Sequence, residues 1–164
     1  MMKTDLLIVN GPNLNMLGQR EPETYGLDTL GDIEEACRQL CDELGLSLRW
    51  FQSNIEGEMV SAIQESAFDN SPQPARGLII NAAAYTHTSV ALYDAVELFQ
   101  GPSIEVHLSN TSARESFRHH SFMSLVCDGI IQGFGRDSYL LAIRGISSKL
   151  AKASQPLTTT DKTG

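Results

Sequence analysis

Residues 77–110 read GLIINAAAYTHTSVALYDAVELFQGPSIEVHLSN. Two apolar runs, GLIIN (77–81) and SIEVHL (103–108), flank a stretch where Val90, Ala91, Ala95 and Leu98 recur at helical spacing. Strand, helix and strand in that order make a βαβ unit, with parallel strands and a right-handed crossover. Three more apolar runs lie outside this unit: LLIV (6–9), LRWF (48–51) and GIIQGF (129–134). Helical patterns separate them. Leu30, Ile33, Cys37, Leu40, Cys41 and Leu44 mark one helix, with Asp28 or Thr29 to cap its start and Gly45 to end it. Met59, Ile63 and Ala67 mark another, residues 138–150 a last one, and a shorter helical segment is expected near 112–118. Five strands alternating with helices predict an α/β fold, a flavodoxin-like doubly wound sandwich with a five-stranded parallel sheet. The 164 residues are read as a single domain over 1–150 and a disordered polar tail, AKASQPLTTTDKTG (151–164).

The totals narrow the chemistry. A formal net charge of -8 argues against nucleic acid as a partner, since phosphate binding needs clustered Lys and Arg. The start, MMKTDLLIVNGPN, lacks the pattern of a signal peptide and no run is long enough to span a membrane, so a cytoplasmic protein is expected. Cys37, Cys41 and Cys127 offer no second pair for a zinc site and are read as buried thiols, with no metal. All four lysines (Lys3, Lys149, Lys152, Lys162) sit near the chain ends, so no strand end supplies a lysine for a covalent imine.

In a doubly wound sheet, ligands bind beyond the carboxyl ends of the strands. After the first strand comes NGPNLNMLGQREPETYG (10–26), longer than packing needs and carrying Asn13, Arg20 and Tyr25. The third strand is followed by NAAAYTHTS, with Asn81 and His87; the fourth ends in His107, Leu108, Ser109 and Asn110, then SARESFRHH. Alternation in EVHLS puts Glu105, His107 and Ser109 on one face. The Glu105–His107 pair is either a core histidine with a structural acid or a general acid–base held in one tautomer; its place at a strand end favours the second. His87 and Asp94, seven apart, share a helix face if the helix begins at THTS. Asp94 then pairs within the subunit or meets a neighbouring chain. Arg114 and Arg118, four apart, form either a solvated face or an anion clamp. Tyr25 is either an apolar lid or, with its pKa lowered by Arg20 and Arg114, a base. His119 and His120 are left as surface or core residues.

Together NGPNLNMLGQREPETYG, NAAAYTHTSVAL, IEVHLSN and ARESFRHHS resemble the type II 3-dehydroquinate dehydratases, over about Leu6 to Lys149. The resemblance implies a flavodoxin-like fold, a homododecamer built as a tetramer of trimers, and dehydration of 3-dehydroquinate to 3-dehydroshikimate. No cofactor, metal or imine is implied. By resemblance, Tyr25 is the base and Arg20 lowers its pKa with help from Arg114. A water near Asn13 stabilises an enolate-like intermediate, and His107, oriented by Glu105, is the general acid. Asn81, His87 and Arg118 hold substrate hydroxyls, while Ser109 and the Leu108 backbone take the carboxylate. Asp94 reaches an adjacent subunit's site. The 10–26 loop becomes a lid whose middle is Leu14, Asn15, Met16 and Leu17.

Two positions depart from the resembled pattern. Tyr93 stands where many relatives carry arginine, beside Asp94, and Ala82 and Ala83 occupy a stretch that often holds Gly or Pro. Rival readings fit less well. Pro12 removes an amide from any phosphate loop after the first strand, and Asn10 and Asn81 stand where a phosphoacceptor domain needs acids. A non-catalytic sensor of hydroxy acids would keep the binding residues without needing Tyr25 or His107.

Overall fold

The computed structural model describes residues 3–19 and 22–155. Strand β1 (Thr4–Asn10) runs into a 3-10 turn (Leu14–Met16) and a one-turn helix α1 (Pro22–Tyr25). There follow α2 (Leu30–Leu44), β2 (Leu48–Gln52), α3 (Glu56–Gln64), β3 (Ala75–Asn81), α4 (Val90–Leu98), β4 (Ser103–His107), β5 (Gly129–Gln132) and α5 (Arg136–Ala153). All strand pairs are parallel, in the order β2-β1-β3-β4-β5. The flavodoxin-like sandwich expected from the βαβ pattern is therefore the observed one.

The sheet is covered on both faces, which explains why the strands read as unbroken apolar runs instead of alternating. Leu6, Leu7, Ile8 and Val9 are all fully buried. Leu6 and Ile8 pack with Ile33 and Cys37 of α2 and Tyr139, Ile143 and Ile146 of α5. Leu7 and Val9 pack on the other face with Met59 and Ile63 of α3 and Leu92, Ala95 and Val96 of α4. Helix α2 starts at a reciprocal cap, in which the Thr29 hydroxyl accepts from Asp32 N (3.1 Å) and Thr29 N donates to the Asp32 carboxylate (2.9 Å). It ends at Gly45, which takes the left-handed conformation (φ 69°).

Several local expectations are corrected. The apolar side of α4 is Leu92, Ala95 and Val96, while Val90 and Leu98 are about half exposed (54% and 47%) and Ala91 faces solvent. Nearly every residue of VALYDAVEL is apolar, so its period admits two stripes; the sheet took the one continuing into Phe99. Residues 111–118 form two 3-10 turns (Thr111–Ala113 and Ser116–Arg118) in place of one helix. Helix α5 runs past 150 to Ala153, and the Ser154 hydroxyl accepts from Arg76 (3.2 Å), so the folded chain extends beyond the expected boundary. Of the expected tail, residues 156–164 lie outside the described residues.

Ala83 carries a backbone signature of its own, with φ +51°. An L-residue there costs about 1–2 kcal/mol, against about 0.5–1 kcal/mol of extra chain entropy for glycine. Ala83→Gly is therefore expected to raise the thermal midpoint by roughly 1–4 °C, read by calorimetry. An unchanged or lower midpoint means the strain is already relieved by its neighbours.

Candidate active site

The doubling back of the chain after β2 leaves β1 and β3 side by side, and the loops leaving β1, β3 and β4 wall one cleft at their carboxyl ends. Asn13, Leu14 and Leu17 line it from the first loop, Asn81, Ala83 and His87 from the second, and His107, Leu108, Ser109, Arg114 and Arg118 from the third. Eight residues given a catalytic or binding role in the sequence thus meet here: Asn13, Asn81, His87, His107, Leu108, Ser109, Arg114 and Arg118. Glu105 stands directly behind His107. Asp94 lies on the solvent side of α4, outside the lining. Arg20 and the Tyr25 side chain fall outside the described residues.

His107 is 6% exposed, and its Nε2 donates to Glu105 Oε2 at 2.6 Å. Burial alone would raise the Glu105 pKa. Hydrogen bonds from His107, Ser124 and Ser121 more than offset it and hold the carboxyl below its ordinary range. Ser121 Oγ donates to Oε2 (2.7 Å) and Ser124 Oγ to Oε1 (2.5 Å). The carboxylate is thereby fixed in charge and orientation. With Nε2 committed to it, Nδ1 of His107 is the nitrogen left to exchange a proton.

His87 is not on α4. It closes a 3-10 turn (Ala83–His87), and the helix starts separately behind Ser89, whose hydroxyl accepts from Leu92 N (2.9 Å). Shared helix facing with Asp94 therefore does not arise. His87 Nδ1 donates to the His120 carbonyl at 2.7 Å. Burial pushes its pKa down, so the neutral ring is favoured and Nε2 becomes a hydrogen-bond acceptor.

Arg114 and Arg118 share the cleft without sharing a helix. Glu115 sits between them, 2.9 Å from Arg118 Nε and 3.7 Å from Arg114 Nε, and Arg114 Nη1 reaches Ser109 Oγ at 3.5 Å. The two guanidiniums outnumber the Glu115 carboxylate between them and offer the cleft cationic groups suited to an anionic ligand. In the loop after β1, Asn13 adopts φ 67°, its N–H held by Asn54 Oδ1 (2.9 Å); the Asn54 carbonyl in turn accepts from Tyr85 OH (2.7 Å).

Sequence reasoning missed the segment that holds these groups. From 119 to 124, one irregular stretch of chain gives His119 Nε2 to the Arg114 carbonyl (3.0 Å), the His120 carbonyl to His87, Phe122 N–H to the Thr86 carbonyl (2.9 Å), and two serines to Glu105. The serines in HHSFMS were visible; the backbone contacts carry no residue signal.

Cys37 and Cys41 lie in the core, where burial pushes their thiols up to about 12 and about 11; Cys127 is likewise pushed up to about 12. None is poised as a nucleophile. Among the described residues no three His, Cys, Asp or Glu side chains are grouped to hold a metal, and no helix is long and apolar enough to cross a membrane.

Comparison with known proteins bears on this cleft. The family model described as dehydroquinase class II matches residues 4–147. A 3-dehydroquinate dehydratase of Cereibacter sphaeroides is 53% identical over 150 residues, covering 92% of this chain and 99% of the relative. One from Prochlorococcus marinus is 53% identical over 148 residues, covering 90% and 99%. The crystal structure of a type II dehydroquinase from Propionibacterium acnes is similar with a TM-score of 0.82 at 39% identity, covering 90% of this chain and 98% of that one.

Proposed function

This chain belongs to the class II dehydroquinases, and on that premise we propose that it dehydrates 3-dehydroquinate to 3-dehydroshikimate through an enolate-like intermediate, without an imine. The observation that carries the reading is the pairing of a buried, carboxylate-anchored histidine with two arginines in one cleft. Eliminating water from a hydroxy ketone needs a group to protonate the departing hydroxyl and cationic groups to stabilise the negative charge of the base and of the polar substrate.

Tyr25, its phenolate stabilised by Arg20 and Arg114, removes the proton beside the ketone. The electron pair moves onto the carbonyl oxygen, where a water held by Asn13 stabilises the charge. As the pair returns to form the carbon–carbon double bond, the hydroxyl departs with a proton from His107, oriented by Glu105, and leaves as water. The neutral His87 ring accepts from a substrate hydroxyl, Asn81 and Arg118 hold others, and Ser109 with the Leu108 backbone takes the carboxylate. The roles of Arg20 and Tyr25 rest on the resemblance alone. For the first step we expect Tyr25→Phe to lower kcat roughly 10^3-fold with KM little changed. A steady-state comparison giving less than a tenfold loss would remove Tyr25 as the base.

Asp94 reaches the site of an adjacent subunit in a homododecamer arranged as a tetramer of trimers. Supporting this, Asp94 shares the solvent side of α4 with Val90, Ala91 and Leu98, an apolar face that a neighbouring copy would cover. The reaction serves the shikimate pathway or quinate breakdown, in the cytoplasm.

The deciding experiment follows ultraviolet absorbance after adding 3-dehydroquinate, with and without borohydride treatment. Growth of the conjugated enone, insensitive to borohydride, is the expected result. Folded protein that gives no signal overturns the enzymatic reading, and inactivation by borohydride overturns the imine-free mechanism.

A further inference from the structure

Helix α5 supplies no residue to the cleft, yet one of its side chains is tied to it. Tyr139 is fully buried against Trp50, ring centroids 5.9 Å apart, and its hydroxyl lies between two asparagines. Four hydrogen bonds run in series. Asn10 Nδ2 donates to the Phe51 carbonyl (3.2 Å), and Tyr139 OH donates to Asn10 Oδ1 (2.7 Å). Asn81 Nδ2 donates to Tyr139 OH (2.9 Å), and Ala83 N donates to Asn81 Oδ1 (3.1 Å).

Both ends of this series are backbone groups, and that decides its polarity. The Phe51 carbonyl can only accept and the Ala83 N–H can only donate. Neither asparagine can flip its amide without setting two donors or two acceptors against each other, and the hydroxyl proton must point at Asn10. Asn10 and Asn81 are nine-tenths or more buried, so an unmatched group here has no water to turn to. Burial also pushes the Tyr139 pKa up, so the phenol stays neutral throughout the physiological range.

We propose that Tyr139 is a positioning residue for Asn81, fixing its amide so that the second Nδ2 hydrogen is the group offered to the cleft. Asn81 then recognises an oxygen acceptor on the substrate, complementary to the acceptor that His87 presents. This deepens the dehydratase reading and rests on it for the identity of the ligand. The series ties β2, β1, α5 and β3 together, so the orientation is set by the sheet and the helix packed on it.

The test is a double-mutant cycle on the intact protein with 3-dehydroquinate. Tyr139→Phe is expected to lower kcat/KM roughly tenfold, chiefly through KM, as befits one lost orienting bond. Asn81→Ala should cost more, and adding Tyr139→Phe to it should cost nothing further in KM, although both backgrounds lose thermal stability. A purely structural role would lower the thermal midpoint with KM unchanged, or give additive losses; either result overturns the proposal. Should Tyr139→Phe fail to fold, Asn10→Ala takes the acceptor from the hydroxyl proton while leaving the bond from Asn81 Nδ2 in place, so a smaller rise in KM than for Tyr139→Phe is expected, and an unchanged KM overturns the proposal. Should the wild-type protein show no turnover, the dehydratase reading falls by itself. Crystal structures then decide: an Asn81 amide rotated in Tyr139→Phe supports the positioning role, and an unchanged amide overturns it.

Discussion

His107→Asn is expected to lower kcat roughly 10^3-fold, within the range typical for a lost general acid, while KM changes only a few-fold. The fold should survive this substitution. Glu105 keeps the hydroxyls of Ser121 and Ser124 when its third donor goes, so the carboxylate is not stranded in the interior. The loss of one buried charge-assisted bond costs about 1.5–3 kcal/mol, far short of unfolding a domain with two packed faces. Circular dichroism separates the effects: a native spectrum with kcat gone assigns the loss to chemistry. A kcat within tenfold of wild type would remove His107 from the proton transfer. A companion change sharpens the point. Glu105→Gln keeps the shape but not the charge that steadies the imidazolium, and should cost less than removing the histidine itself.

Much of this was legible because the relevant rules are strong ones. Apolar runs spaced by helical patterns leave a parallel sheet as the economical solution, and the carboxyl ends of its strands then gather Asn81, His87 and His107 from distant positions. Strand alternation also placed Glu105 beside His107 correctly, since Val106 and Leu108 are in the core on the other face. Errors arose where sequence offered two equal choices or none. VALYDAVEL has apolar residues on every side, so its period could not name the buried stripe. Arg114 and Arg118 reach the cleft through successive 3-10 turns, which lack the periodicity of a helix. The His120 carbonyl beneath His87 is a backbone group, the same in every residue. Tyr139 reads as one more apolar-face residue of a helix until its hydroxyl is seen between Asn10 and Asn81.

Gly11→Ala is the substitution expected to damage stability and activity together. Gly11 sits where the chain leaves β1, its N–H on the Asn81 carbonyl (2.8 Å) and its own carbonyl accepting from Gln52 (3.2 Å). A Cβ here would stand 2.5 Å from the Ala82 carbonyl oxygen and 2.7 Å from its carbon. Both are backbone atoms of a fully buried residue, so no side chain can swing aside. Either β1 or β3 must shift at its carboxyl end. Overpacking of this kind costs about 1–3 kcal/mol, and the thermal midpoint should fall by roughly 2–12 °C. Because Asn13 lies two residues beyond Gly11 and Asn81 directly precedes Ala82, the same shift displaces two groups that line the cleft. A displacement of about 1 Å is enough for a roughly 10^2-fold loss in kcat/KM. Gly57 provides the control: nothing lies within 4 Å of its added Cβ, and it sits in the first turn of α3, so Gly57→Ala should be neutral or stabilising. Wild-type kcat/KM and midpoint in Gly11→Ala would mean that the two strand ends yield independently, and that the cleft does not depend on the close approach of β1 to β3.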